Sequence, residues 1–287
     1  MGMPSGPDRG LGRVTLCAVT SRDVALSEVA LLRSSQNLPF ARVVLFSPTP
    51  PSSDLIEHVQ ITEFKTVQDY SRFVLFELGN QLQTDFALII HFDGFVVNPG
   101  AWEESFLEYD YIGARWPWHT INQVGNGGFC LRSLRLLNAT ASSRFDRPGI
   151  PEDELICRVE KNYLETDFGF RFAPNEVADR FSMEHAGLPK NSFGFHGLFH
   201  MHHAYAADEL EDILQLMNPS AFAGVAPLRW LLAILEQGGA PILPMLSQAI
   251  LAAQPPEVLS RNCIELQISP VEVAQVLYRF ARELPRD

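Results

Sequence analysis

Apolar residues in the first third of the chain come in short unbroken runs that alternate with stretches of helical spacing. "RVTLCAVT" (13–20), "ARVVLFS" (41–47) and "VQITEF" (59–64) are β-branched, apolar runs of strand length. Between the first two lies "SRDVALSEVALLRSSQNL" (21–38), with Val24, Leu26, Val29, Leu31 and Leu32 near helical period. After the third, "TVQDYSRFVLFELGNQLQ" (66–83) puts Phe73, Leu75, Phe76 and Leu78 on one helical stripe and leads into "DFALIIHFDG" (85–94). Strands that are apolar throughout, alternating with helices, predict a mostly parallel sheet flanked by helices.

After Pro99 the pattern changes. "AWEESFLEYDYIGARWPWH" is mixed and aromatic-rich, and holds Trp102, Trp116 and Trp118. "VGNGGFCLRSLRLLNATAS" reads as a Gly-rich turn entering a short helix, and "PEDELICRVEKNYLETDF" as a helix with an acidic start. "FRFAPNEVADRFSME" adds strand and turn before "FGFHGLFHMHHA". From about Asp208 the runs "DELEDILQLMN", "APLRWLLAILEQ", "PMLSQAILAAQ" and "PVEVAQVLYRFAREL" predict helices separated by Pro and Gly. The organisation expected is a flexible N-terminus (1–12), an α/β domain (13–205) and a helical C-terminal region (206–287). No internal repeat marks a solenoid.

Composition narrows the functional classes. The chain has 287 residues, 46% hydrophobic, enough for a sizeable core, and a formal net charge of -12. No Lys/Arg run stands against that acidity, so nucleic acid is not an expected partner. A small anionic ligand would need a metal ion or backbone N–H groups to offset its charge. Cys17, Cys130, Cys157 and Cys263 are scattered without a CxxC pair, which reads as reduced thiols. The opening "MGMPSGPDRG" lacks the pattern of a signal peptide, and Gly6 stands where myristoylation wants Ser or Thr. The longest apolar stretch, in the C-terminal region, is broken by Glu236, Gln237, glycines and prolines. A cytoplasmic protein with no integral membrane segment is expected.

The chemistry points to four places. Asp93 ends the most apolar strand, where ligands bind in open α/β sheets, and Gly94 admits close approach. A hard cation with phosphate oxygens would suit it; a plain Asp-Gly turn is the competing reading. "GNGGF" (125–129) allows close backbone approach and unusual φ values but is no phosphate-binding fingerprint. Glu152 and Asp153 open a helix after Pro151: acidic residues favoured by the helix dipole, or a general base aimed at an acceptor hydroxyl. "FGFHGLFHMHH" holds His196, His200, His202 and His203. His196 and His200 are four apart, but no Glu follows His196, so HExxH is excluded. Tryptophan faces suit sugar rings, although aromatics are more often core.

Taken in order, "YSRFVLFEL", "TDFALIIHFDGFVVNPGAWEESFLEYDYIGARWP", "VGNGGFCLRS", "PEDELICR", "FAPNEVADRFSME" and "FGFHG" resemble the DUF5672 family, expected bacterial glycosyltransferases of the GT-A fold. The resemblance runs from about Val14 to Ala204 and leaves out the helical tail. It implies a GT-A-like α/β fold, and a nucleotide-diphosphate sugar donor held through Mn²⁺ or Mg²⁺. By the same resemblance "HFD" occupies the place of the DxD motif, so Asp93 would ligate the metal. His91 replaces its first Asp, where the family tends to have Gln. His196 matches the histidine that completes the metal and pyrophosphate site. Glu152 and Asp153 match the acidic pair that contains the base. Asn126, Gly127 and Gly128 would line the donor and acceptor site together with Gly94. Thr20, Ser21 and Arg22 lie where the nucleoside is held, with Tyr70 and Arg72 in the same region. The acceptor would be a saccharide or another hydroxyl compound.

Two other readings compete. A catalytically silent sugar-nucleotide binder or scaffold on the same fold is suggested by His91 and the helical tail. A zinc hydrolase is suggested by "HGLFHMHH".

Overall fold

The computed structural model describes residues 10–186, 191–239 and 241–283. The chain divides into two compact units, Met1–His196 and Gly197–Asp287. The flexible N-terminus expected over 1–12 lies outside the described residues as far as residue 9. From there the chain is ordered: Leu11–Arg13 form a 3-10 turn, and Leu11 is fully buried.

The first unit is a mixed α/β domain. It contains β1 (Val14–Val19), α1 (Val24–Ser35), β2 (Arg42–Ser47), β3 (Glu57–Gln60), α2 (Val67–Phe76), α3 (Leu78–Gln81) and β4 (Phe86–Ile90). These are followed by β5 (Tyr111–Ile112), β6 (Phe129–Ser133), α4 (Leu134–Thr140), α5 (Glu152–Glu154), α6 (Lys161–Phe168) and α7 (Asn175–Phe181). A small parallel pair, β7 (Ser182–Met183) with β8 (Gly194–Phe195), completes it. The main sheet has the order β3-β2-β1-β4-β6-β5. The four strands from β3 to β4 are parallel, and β6 runs antiparallel to both its neighbours, β4 and the edge strand β5. Every residue of β1 and β4 is buried, as continuous apolar runs demand when both faces are covered.

The antiparallel β6 is the strand that hydrophobic patterning missed. "FCLRS" carries Arg132, which breaks the apolar run, yet all five residues are buried. Arg132 is tolerated there because Glu152 pairs with it inside the protein. The single helix expected over 66–83 is broken at Glu77, and the one expected after Pro151 passes through a π-helical turn, Leu155–Val159. Thr66 caps α2 with a reciprocal capping box to Asp69, which fixes where that helix starts beside the sheet. One core cluster joins Phe46, Ile89 and Cys130 of the sheet to Phe73, Leu75, Leu136 and Leu155 of the covering helices.

The second unit is helical. It contains α8 (Met201–Ala204), α9 (Ala207–Leu216), α10 (Ala226–Glu236), α11 (Leu243–Ala253), α12 (Pro256–Glu265) and α13 (Pro270–Ala281). The last four carry Pro at their first turn, where the missing N–H costs nothing. α12 was not anticipated, because its apolar residues are sparse. Leu259 and Cys263 alone, four apart, supply its buried apolar seam.

Candidate active site at the carboxyl ends of the strands

β4 ends on a closed turn. The His91 N–H donates to the Gly94 carbonyl at 3.0 Å, and the Gly94 N–H returns to His91 at 3.1 Å. Phe92 and Asp93 stand at its tip. The Asp-Gly turn and the exposed-ligand reading therefore coexist: the turn is what lifts Asp93 out of the core. Gly94 is required because a Cβ there would stand 2.8 Å from the His196 ring and 2.9 Å from the Gly128 carbonyl.

His196 arrives from β8. Its N–H is held by the Met183 carbonyl at 2.9 Å, and the preceding Phe195 N–H by Phe95 at 3.2 Å. Its Nδ1 lies 3.0 Å from Glu184 Oε1, and its Nε2 faces Asp93 Oδ1 at 3.7 Å. Burial disfavours the charged ring, but Asp93 and Glu184 outweigh it and raise the pKa to about 9. The same contact keeps the Glu184 carboxyl below its ordinary value in spite of burial. Asn126 donates to the other Glu184 oxygen at 2.7 Å, while its own Oδ1 accepts from the Gly128 N–H at 2.9 Å. Sequence reading passed over Glu184. "RFSME" offers no motif, and its role appears only when β7 and β8 pair.

Each glycine of the GNGGF loop makes room for a particular side chain. A Cβ on Gly125 would strike the Trp116 ring at 2.2 Å, one on Gly127 would meet Glu152 Oε1 at 2.4 Å, and one on Gly128 would meet His196 Nε2 at 2.1 Å. What comes close to these glycines is the protein's own side chains, Trp116, Glu152 and His196, where the sequence reading expected a ligand. The unusual backbone angle belongs instead to Asn126, at φ 67.

The acidic pair divides its labour. Glu152 is 3% exposed and binds Arg132 Nη2 at 2.5 Å, so its carboxylate faces a buried guanidinium. Asp153 accepts from the Gly127 N–H at 2.9 Å and from Glu154 at 2.8 Å. Burial and the neighbouring Glu152 charge raise its pKa to about 6, the range of a working base. Arg132 was also not foreseen as part of the site.

Beside the turn a cavity of about 480 Å³ opens at the ends of β1 and β4, lined by Thr20, Ser21, Arg22, Asp23, Lys65 and Tyr70 among others. Thr20 Oγ1 accepts from the Arg22 and Asp23 N–H groups, and Ser21 donates to the Phe64 carbonyl. Asp23, also unforeseen, has its pKa raised by burial and by the like charge of Asp93, which ties the cavity to the turn. Tyr70 reaches His91 Nε2 at 3.0 Å. Arg72 lies elsewhere: it pairs with Asp146, stacks over Phe76 and lines a separate groove.

His91, Asp93 and His196 each offer a ligand atom, all within 4.8 Å of one another. Burial and the His196 charge hold the His91 pKa down at about 4, so its ring is neutral, whereas His196, with its pKa at about 9, would have to release a proton to take a metal ion. The partners of the remaining ring nitrogens, Tyr70 for His91 and Glu184 for His196, orient both rings. The set fits a divalent cation. The rings of His200, His202 and His203 from "HGLFHMHH" pack on one another, His202 on His203 at 4.0 Å. His200, His202 and His203 belong to the second unit, and among the described residues His91, Asp93 and His196 make the metal-capable group.

The turn, the glycine loop, the acidic helix start and His196 all fall within one stretch of sequence that matches a known family model. Residues 55–196 match the model of the DUF5672 family. Its description is a protein of unknown function. The DUF5672 segment is narrower than the resemblance over 14–204, and β1 and β2 lie ahead of it. No curated protein matches the chain. Among solved structures, the apo-form glycosyltransferase GlyE of Streptococcus pneumoniae TIGR4 is similar at 11% identity and a TM-score of 0.38. That similarity covers 64% of this chain and 54% of the GlyE chain, so this protein spans about half the length of that structure.

Proposed function

We propose that the protein is a metal-dependent glycosyltransferase of GT-A-like fold that moves a sugar from a nucleoside-diphosphate donor to an acceptor hydroxyl. The observation that carries this is the adjacency of two sites at the strand ends: the His91–Asp93–His196 group and the cavity beside it. Ligands of open α/β sheets bind at this edge.

Charge supports the reading. Asp23, Asp93, Asp153 and Glu184 crowd this edge, and a diphosphate would be repelled there without a cation. His91, Asp93 and His196 would hold the metal, which, when bound, supplies positive charge to the leaving diphosphate. Thr20, Ser21, Arg22 and Tyr70 would seat the nucleoside. Asp153 takes the proton from the acceptor hydroxyl, and the Gly127 N–H keeps its second oxygen in place. Gly94, Asn126, Gly127 and Gly128 form the wall against which donor and acceptor meet.

The donor set also suits iron(II), the metal of two-histidine, one-carboxylate oxygenases. Thermal unfolding with a panel of nucleoside diphosphates, with and without Mn²⁺, separates the readings, because a ligand of the native state raises the midpoint. A Mn²⁺-dependent shift with one nucleotide, abolished in Asp93→Ala, is the expected result. Stabilisation by iron(II) with no nucleotide effect would favour the oxygenase reading. Nucleotide binding without turnover or slow hydrolysis of any sugar donor would leave the silent binder.

A further inference from the structure

The three tryptophans between β4 and β6 differ in burial. Trp102 and Trp116 are 4% and 6% exposed and belong to the core, whereas Trp118 is 57% exposed. Isolated exposed apolar residues need no explanation, but the loop that carries Trp118 is tied down at its base and the indole itself is contacted by two imidazoles. At the base of its loop Arg115 pairs with Val124 as an antiparallel bridge, and the Trp116 N–H donates to the Gln123 carbonyl at 2.7 Å. Arg115 is clamped to α7 by two 2.8 Å bonds to Asp179, and Asn175 of the same helix donates to Gln123 at 2.7 Å. The loop is thus braced twice on one helix.

The indole is also restrained at its edge. Its Nε1–H donates to His119 Nε2 at 3.1 Å, and the His185 ring packs against it at 4.8 Å and 67°. His185 adjoins Glu184, which holds His196 of the candidate site. A rigid, exposed aromatic face flanked by two imidazoles therefore lies along a short chain of contacts from the reacting centre.

We propose that Trp118, flanked by His119 and His185, is a carbohydrate-binding ledge that seats the acceptor as a neutral pyranoside stacked on the indole. The proposal rests on the glycosyltransferase reading of the adjacent site. The C–H face of a pyranose is apolar and slightly positive, and complements the negative face of an aromatic ring. Neutrality follows from the charges: Arg115, the cation at the base of the loop, is already committed to Asp179.

Saturation-transfer NMR on the full chain tests it, using the methyl glycosides of glucose, galactose, mannose, N-acetylglucosamine and rhamnose as probes. Wild type should show transfer to the C–H protons of one ring face for at least one probe. The signal should fall at least tenfold in Trp118→Ala and persist in Trp118→Phe, with unfolding midpoints unchanged. No transfer with any probe, or equal transfer in Trp118→Ala, would overturn the proposal. So would a Trp118-dependent change in sedimentation coefficient, which would make the ledge a self-association surface. Nucleoside-diphosphate shifts with Mn²⁺ are measured on the same samples. If these are absent while sugar binding still depends on Trp118, the glycosyltransferase reading fails and the acceptor role falls with it. If they are present and sugar binding is absent, the ledge alone is wrong.

Discussion

The imidazole of His196 lies on the backbone of Gly128, where a methyl group would stand 2.1 Å from Nε2. No rotamer change at position 128 can relieve such a contact, so the ring or the loop must move. Gly128→Ala is expected to displace His196 from Asp93, to abolish Mn²⁺-dependent stabilisation, and to cost about 1–3 kcal/mol as an overpacked site. Gly224→Ala, where a Cβ meets nothing within 4 Å, serves as the control and should leave both properties intact. Metal titration followed by thermal unfolding reads the difference. Retained Mn²⁺ binding in Gly128→Ala would remove His196 from the ligand set.

Arg132 and Glu152 form a pair with side chains 0% and 4% exposed. Breaking such a pair leaves a buried charge without compensation, at about 3–5 kcal/mol. Glu152→Ala should therefore be strongly destabilised in urea. The double change Arg132→Met with Glu152→Leu should recover much of the loss, because it removes both charges. If Glu152→Ala were stable but inactive, Glu152 would be a catalytic group after all.

Asp153 gives the site a pH signature. Its pKa is raised to about 6, and a base must be ionised, so turnover should rise with pH through that value. Stability should move the opposite way. Between the ordinary carboxyl range and about 6 the native state binds more protons than the unfolded chain, so stability falls as pH rises through this window. Asp153→Asn removes that cost. Asn can accept only one of the two backbone N–H groups that Asp153 accepts, a loss that is the same at every pH, but the variant's unfolding free energy relative to wild type should be about 1–2 kcal/mol more favourable at pH 8 than at pH 4, while turnover is lost at every pH. A difference from wild type that is the same at both pH values would show that the carboxyl is not perturbed.

Much of this fold was legible because its signals are local. β1, β2 and β4 announce themselves as unbroken apolar runs, and Thr66 with Asp69 marks a helix start three residues apart. What stayed hidden depends on pairings distant in sequence. Arg132 makes "FCLRS" look half-polar until Glu152, 20 residues on, is brought to it. Glu184 has meaning only through His196 and Asn126, the latter 58 residues before it. The glycines of GNGGF were recognisable as points of close approach, but their visitors, Trp116, Glu152 and His196, come from three other segments. Trp118 could not be told from Trp116 by composition, since they differ by which side of a hairpin base they occupy.

Glu184 fixes which face of His196 meets the metal. By engaging Nδ1 at 3.0 Å it leaves Nε2 toward Asp93, and such outer carboxylates are worth about 10–100-fold in metal affinity. Glu184→Gln should weaken Mn²⁺ binding by that factor, and Glu184→Asp should restore part of it. The same variant has a metal-free signature. With its pKa raised to about 9, His196 contributes stability that is fully present below its ordinary value near 6.5 and lost as pH rises through 9. Weakening the carboxylate should therefore lower the unfolding midpoint in chelator more at pH 6 than at pH 10. Equal losses at the two pH values would mean that Glu184 supports the loop through Asn126 alone, and the tie to His196 would carry no energy.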